Sequence, residues 1–259
     1  MINNILNIRS NNFLWLYLIK KLSRLNKIYF VPTNKLRLPK NNHPLGNLKI
    51  FFEDQLYNYN KNNFKFNLDL YKVLKKCYKN NSKIRLLDYG GENLDLYLYL
   101  KKKFSNIKIV IINQSQTNKI LKKIISKRKI KNLSVANNIN QLNLKSFNFI
   151  NFGSSLQYID NYENILFNLL KKFKGFFYLS ATSFYFKDFQ KKNIVVKQVN
   201  LLPSILYCYI FNYEILKNLF YKHKFFIIFK RNNSYKKVNF RNFKMKVKYL
   251  NILFLKRKI

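Results

Sequence analysis

Between residues 66 and 230, short apolar runs rich in β-branched and aromatic side chains alternate with segments whose apolar residues recur at helical spacing. That alternation restricts the chain to few folds. Ile107–Ile112 (IKIVII) reads as a buried strand, and Leu68–Tyr78 (LDLYKVLKKCY) reads as an amphipathic helix. The same reasoning predicts strands at Lys83–Asp88, Leu133–Val135, Phe147–Phe152, Phe176–Leu179 and Phe225–Lys230. It predicts helices at Leu94–Phe104, Lys119–Ile125, Tyr162–Phe173 and Ile210–Tyr221. Strand and helix in turn, with short connections, imply an α/β protein. The expected architecture is a Rossmann-like, doubly wound, mostly parallel sheet with helices on both faces. Ligands of such sheets bind beyond the C-terminal ends of the strands, where the strand order reverses. The residues that follow strands are therefore the functional candidates.

Composition bounds the rest. The chain has 259 residues, 50 Lys and Arg against 10 Asp and Glu, and a net charge of +40. That charge has two readings. One is a surface selected for RNA or an anionic membrane. The other is compositional drift in an A+T-rich genome, since 40 residues are Asn and the basic residues are spread along the whole chain. Cys77 and Cys208 form neither a disulfide framework nor a C-x-x-C site, and the two histidines, His43 and His223, leave little for imidazole chemistry. No metal site is expected.

No stretch reaches the roughly 18 apolar residues of a membrane span, and Phe13–Ile19 is followed by two lysines rather than a cleavage site. A cytoplasmic protein is expected, with the basic N-terminal segment able to lie against the inner face of a membrane. Its alternative is a helix packed on the domain through Leu14, Leu16, Leu18 and Ile19. Pro32, Pro39 and Pro44 mark a loop. The domain reading is a basic, partly helical extension over 1–47, an α/β domain over 48–235 and a basic C-terminal segment over 236–259.

Residues 88–95, Asp-Tyr-Gly-Gly-Glu-Asn-Leu-Asp, hold three of the ten acids and two of the five glycines. Glycine permits a tight turn after a strand and close approach of a ligand. A carboxylate in so basic a chain accepts hydrogen bonds from a ligand, or else Asp88 caps the following helix.

LLDYGG resembles the first motif of class I S-adenosylmethionine-dependent methyltransferases, whose strand ends in Asp before a glycine turn. Gly153-Ser-Ser-Leu-Gln-Tyr-Ile159, with Asn161 and Tyr162 after it, is similar to the SS-x-LQY stretch of a bacterial methyltransferase family that occurs with surface-polysaccharide and lipopolysaccharide genes. Gln198-Val199, then Pro203, Ile205, Tyr207 and Tyr209, resembles a later stretch of that family. The resemblance spans roughly residues 84–230.

It implies S-adenosylmethionine as cofactor and a glycan or small molecule as methyl acceptor. Asp88, Gly90 and Gly91 would form the turn under the cofactor's methionine part. Asn113, followed by Gln114, stands where these enzymes place an acid for the ribose hydroxyls. Asn137 would meet the adenine. Ser154, Ser155, Gln157 and Tyr158 would face the transferable methyl group. Asp160 is the candidate base, with a helix cap as its alternative reading. The absent ribose acid and the replaced third glycine, at Glu92-Asn93, keep a degenerate, structural methyltransferase fold among the readings, beside an RNA-binding or RNA-modifying protein. The aromatic run 205–213 is either an acceptor-pocket wall or core. Ser180–Ser183 is expected on the functional rim.

Overall fold

Apolar side chains on both faces of a strand demand cover on both faces, and the computed structural model provides it. It describes residues 28–33, 35–39, 48–60, 68–186, 192–201, 204–233, 238–239 and 247–257. In chain order the elements are β1 (Ile28–Pro32), α1 (Leu48–Asn60), α2 (Asp69–Cys77), β2 (Ile84–Tyr89), α3 (Leu94–Lys103), β3 (Ile107–Ile112), α4 (Ser115–Lys127) and β4 (Leu133–Ala136). Then come β5 (Phe149–Gly153), α5 (Tyr162–Lys172), β6 (Phe176–Tyr185), β7 (Ile194–Leu201), β8 (Ser204–Asn212), α6 (Tyr213–Lys222), β9 (Phe225–Asn232), β10 (Val238–Asn239) and β11 (Val247–Lys256).

The central strands run parallel in the order β4-β3-β2-β5-β6. The chain winds outward from β2 to β4, then returns to the other side of β2 with β5, so the strand order reverses between β2 and β5. β11 lies antiparallel against β6 and pairs on its other edge with β9. Each face has its own core. On one side Leu87, Ile150, Phe152 and Phe177 pack with Leu166 and Leu169 of α5 and Phe220 of α6. On the other, Ile84, Leu86, Ile109 and Phe149 pack with Val73 and Leu74 of α2 and Leu100 of α3. Successive β2 residues Leu86 and Leu87 thus enter opposite cores, as the pleat requires.

The α/β reading holds, with three corrections to its details. The predicted helix over 210–221 starts at Tyr213. Before it, the β-branched and aromatic run of β8 pairs antiparallel with β7 as a hairpin, and β7 pairs with β1. Asn212 ends the strand and caps the helix, its Oδ1 accepting from the backbone N–H of Glu214 at 2.9 Å and Ile215 at 3.1 Å. Ser180–Ser183 lies inside β6, and Thr182 and Ser183 are buried, so this stretch is not an open rim. The C-terminal segment begun at 236 does not stand apart from the domain. Its strand β11 is buried between β6 and β9 because Tyr249, Leu250, Ile252, Leu253 and Phe254 all enter the core. The helix expected through Leu14–Ile19 lies outside the described residues. Among the described residues no helix is long and apolar enough to cross a membrane.

Candidate active site

Where the strand order reverses, the C-terminal ends of β2, β3, β4 and β5 open onto a cavity of about 410 Å3. Gly90, Asn113, Gln114, Asn137, Ser154 and Ser155 line it, together with Tyr158. Six of the eight residues predicted to bind cofactor are thus brought to one cavity from four separate strand ends. The chain path explains this: each parallel strand delivers its following residue to the same edge.

The glycine turn is built by close approach. Gly90 has φ +79°, a left-handed value open to glycine, and a Cβ there would overlap Ser155 Cβ. Ser155 holds the opposite wall, its Oγ donating to the Tyr89 carbonyl. Gly90 N–H donates to Ile112 O at 2.6 Å, joining the turn to β3. A Cβ on Gly91 would overlap the Tyr97 hydroxyl and come within 2.6 Å of Asp88 Oδ2.

Asp88 is therefore beneath the turn rather than in the cavity lining. Its Oδ2 accepts from the Tyr97 hydroxyl at 2.7 Å and its Oδ1 from Asn151 Nδ2 at 2.8 Å. Burial pushes its carboxyl up to about 6, against the opposing pull of those two hydrogen bonds. It does not cap α3, whose start is held instead by Gln55: Oε1 accepts from Leu94 N–H at 2.6 Å.

Ser154 also has positive φ, +63°, without being glycine. Its N–H donates to Ser180 O at 2.8 Å, tying the bend after β5 to β6. Gln157 is fully buried behind the cavity; its Nε2 reaches Ser154 Oγ at 3.4 Å, and its Oε1 has no hydrogen-bond partner among the described residues. Tyr158 lines the cavity and donates its hydroxyl to Gln198 Oε1 at 2.6 Å. Burial drives its phenol far up, so at neutral pH it remains a hydrogen-bond donor.

Asn113 turns its amide inward. Nδ2 donates to Gly91 O at 2.9 Å and to Glu92 Oε1 at 3.3 Å, while Oδ1 accepts from Gln114 N–H at 2.7 Å. Glu92 lines the cavity beside it. Glu92 was not among the predicted site residues, although its signal was present: an acid in a glycine turn of a strongly basic chain. Asn137, at the rim, accepts from Lys122 Nζ at 3.1 Å.

Asp160 belongs elsewhere. It lines a second, larger cavity of about 820 Å3, together with Arg37, Tyr162, Glu163, Lys192 and Tyr209. The first cavity ends at Ile159 and the second begins at the next residue. α5 carries no side-chain cap hydrogen bond, so Asp160 is not its cap. The Tyr162 hydroxyl donates to Glu163 Oε1 at 2.7 Å. Burial first, and then the Asp160 and Glu163 carboxylates, push the Tyr209 phenol up. The other members of the aromatic run are divided: Phe211 and Ile210 are core, whereas Tyr209 is both buried and cavity-lining.

The first cavity fits a nucleoside-bearing cofactor chemically. It has a glycine cradle that a Cβ would fill, hydroxyl and amide groups on three strand ends, and one carboxylate. Among the described residues no group of three His, Cys, Asp or Glu side chains gathers as metal ligands.

No protein-family model and no curated protein matches the chain by sequence. Solved structures do match in fold. An S-adenosylmethionine-dependent methyltransferase from Clostridium acetobutylicum ATCC 824 superposes with TM-score 0.50 at 15% identity, covering 81% of this chain and 99% of its own. A protein assigned as a sarcosine dimethylglycine methyltransferase from Galdieria sulphuraria has TM-score 0.54 at 11% identity, over 73% of this chain and 84% of its own. The N-terminal domain of EvdMO1, solved with S-adenosylhomocysteine bound, has TM-score 0.50 at 11% identity, over 76% and 82%. The architecture is the Rossmann-like fold of class I methyltransferases.

Proposed function

We propose that this chain transfers a methyl group from S-adenosylmethionine to a polar acceptor, a glycan or small molecule. One observation carries the reading: the glycine turn, the Asn113 and Asn137 strand ends and the Ser154–Ser155 bend converge on one cavity at the reversal of strand order. When bound, S-adenosylmethionine supplies a methyl group on a sulfonium, open to in-line displacement.

The protein's part is placement and exclusion of water. The Gly90 turn and Ser155 leave room for close backbone approach. Tyr158, fixed by Gln198, forms part of the cavity wall. The acceptor sits in the larger cavity, whose Asp160, Glu163, Arg37 and Lys192 offer hydrogen bonds of both kinds to a hydroxyl-rich molecule. The Gly90 turn, Ser155 and the Asn113 and Asn137 strand ends would hold the cofactor, which would supply the methyl group to the acceptor and keep the carbon–sulfur electrons on sulfur. Where the acceptor is a hydroxyl, Asp160 takes its proton.

Calorimetry with S-adenosylhomocysteine tests the reading, with Gly90→Val as control. Micromolar binding that the variant loses supports it and directs a screen of nucleotide sugars and glycans as acceptors. A folded protein that binds none at millimolar ligand overturns it.

A further inference from the structure

The chain carries five times as many lysines and arginines as acids, yet the charge inside its cofactor cavity is negative. Among the described residues lining that cavity, Glu92 is the only charged one; the rest offer amides, hydroxyls, backbone or apolar groups. Glu92 is also held at both ends. Gln55 Nε2 donates to its carbonyl at 3.1 Å, and Asn113 Nδ2 donates to its Oε1 at 3.3 Å. Gln55 arrives from α1 and Asn113 from the end of β3, so two separate elements fix a loop residue whose carboxylate borders the cavity.

Asn113 is mostly engaged. Its amide nitrogen serves Gly91 O and Glu92 Oε1, and its oxygen accepts from Gln114 N–H. Asn113 keeps one open acceptor position, the second lone pair of its oxygen, so it can take one ligand hydroxyl but not two. The Glu92 carboxylate, by contrast, has about four lone-pair positions and spends one on a long bond to Asn113. Two adjacent hydroxyls can both donate to such a group, in charge-assisted bonds that are about twice as strong as neutral ones.

We propose that Glu92 is the specificity-determining residue of this cavity: its carboxylate, braced by Asn113 and Gln55, accepts the two hydroxyls of a vicinal diol on the ligand's sugar. Asn113 is a positioning residue and acts through Glu92. The assignment rests on reading the cavity as a nucleoside-cofactor site. It places the diol-reading charge on the loop after β2 rather than at the end of β3.

The test is calorimetric binding of S-adenosylhomocysteine, adenosine and 2′-deoxyadenosine to the wild-type chain and to Glu92→Gln. The substitution is isosteric and keeps an oxygen for Asn113, and melting curves check the fold. Wild-type protein is expected to prefer adenosine over 2′-deoxyadenosine by about tenfold or more, the scale of one charged hydrogen bond. In Glu92→Gln that preference falls to within about twofold. S-adenosylhomocysteine weakens about tenfold, and 2′-deoxyadenosine, which keeps one of the two hydroxyls, weakens less than adenosine does. A merely structural lesion weakens both nucleosides alike, and that result overturns the assignment. So does a variant that keeps the wild-type preference, or a wild-type protein that shows none. Wild-type protein that fails to bind S-adenosylhomocysteine overturns the cofactor reading itself, whereas wild-type binding with no effect of Glu92→Gln overturns only the role of Glu92.

Discussion

The Tyr158 hydroxyl donates a 2.6 Å hydrogen bond to Gln198 Oε1, forty positions further along the chain. The bond joins the loop after β5 to β7, and Cys208 of β8 approaches the same oxygen, its Sγ at 3.7 Å. Gln198 and Cys208 are buried. A cavity wall is thereby fixed to the β7–β8 hairpin, which is an addition to the parallel sheet. Two of the three sequence stretches that resemble methyltransferases, around Ser154–Tyr158 and around Gln198, meet through this bond.

Tyr158→Phe removes the donor and keeps the ring. Gln198 Oε1 then loses its short partner in a buried setting, which costs about 1–2 kcal/mol. Chemical denaturation should show a lower midpoint with an unchanged slope. S-adenosylhomocysteine affinity should fall as well, because the wall loses its anchor. A variant as stable as wild type shows that the bond contributes nothing to the fold.

Gly91→Ala should be among the most damaging single changes. The new methyl group would meet the Tyr97 hydroxyl and the Asp88 carboxylate, and neither is the free end of a flexible chain, since each holds the other at 2.7 Å. Overpacking of a well-filled site costs about 1–3 kcal/mol. The measurement is the thermal midpoint beside that of Gly153→Ala, where the nearest atom, Asn151 Nδ2, stands 3.2 Å from the added carbon. Gly91→Ala should melt clearly lower; equal midpoints would refute the buried-turn account.

The elements around this turn were legible because local pattern and tertiary role agree. IKIVII is apolar enough to be a strand anywhere, and it is β3. The residues following strands at 90, 113, 137 and 154 could be placed at one edge from topology alone. Two things were hidden. The run ILYCYIFNY carries apolar residues at both strand and helix spacing, so its change from β8 to α6 depends on Asn212, whose capping bonds are local but whose strand partner β7 is not. Asp88 looked like a ligand group because it follows the strand pattern. Only the three-dimensional position of Tyr97 and Asn151 shows its carboxylate facing inward. Glu92 was visible as an acid in a glycine turn, but the Asn113 and Gln55 bonds that hold it are encoded by no spacing.

The Asp88 carboxyl makes stability depend on pH. Its folded value is raised to about 6 from an ordinary 3.8, chiefly by burial. The folded state therefore holds this proton more tightly than the unfolded chain does. The resulting stability is fully present below about pH 4 and is lost as pH rises through about 6. Asp88→Asn removes this contribution and keeps the shape. The new amide can donate to Asn151 Oδ1, which has no hydrogen-bond partner among the described residues, once the Asn151 amide turns over. The difference in unfolding free energy between wild type and Asp88→Asn, followed from pH 4 to pH 7, should move in favour of the variant by about 2–3 kcal/mol. A difference that stays constant over that range would place the carboxylate in contact with water.

Asn251 gives the strongest test that the C-terminal strand belongs to the domain. The pairing of β11 with β6 shifts between Leu250 and Ile252, leaving Ser180 and Ala181 opposite Asn251, and Ala181 has φ +47°. A bulge of this kind leaves ladder groups unpaired. Asn251, fully buried, supplies the missing partners: its Oδ1 accepts from Ala181 N–H at 2.8 Å and from Asn233 Nδ2 at 2.9 Å, and its Nδ2 donates to Asp69 Oδ2 at 2.8 Å. Asp69 in turn pairs with Arg231 at the end of β9. One amide thus joins α2, β6, β9 and β11. Asn251→Ala strands a buried N–H and weakens the hold on a buried carboxylate, each loss amounting to about 1–3 kcal/mol. Asn251→Asp restores an acceptor for Ala181 but sets a second carboxylate against Asp69, so it should rescue little at pH 7 and more at pH 4. Urea denaturation of the three proteins at both pH values measures this. If Asn251→Ala unfolds at the wild-type midpoint, β11 is an ornament on the sheet rather than part of its core.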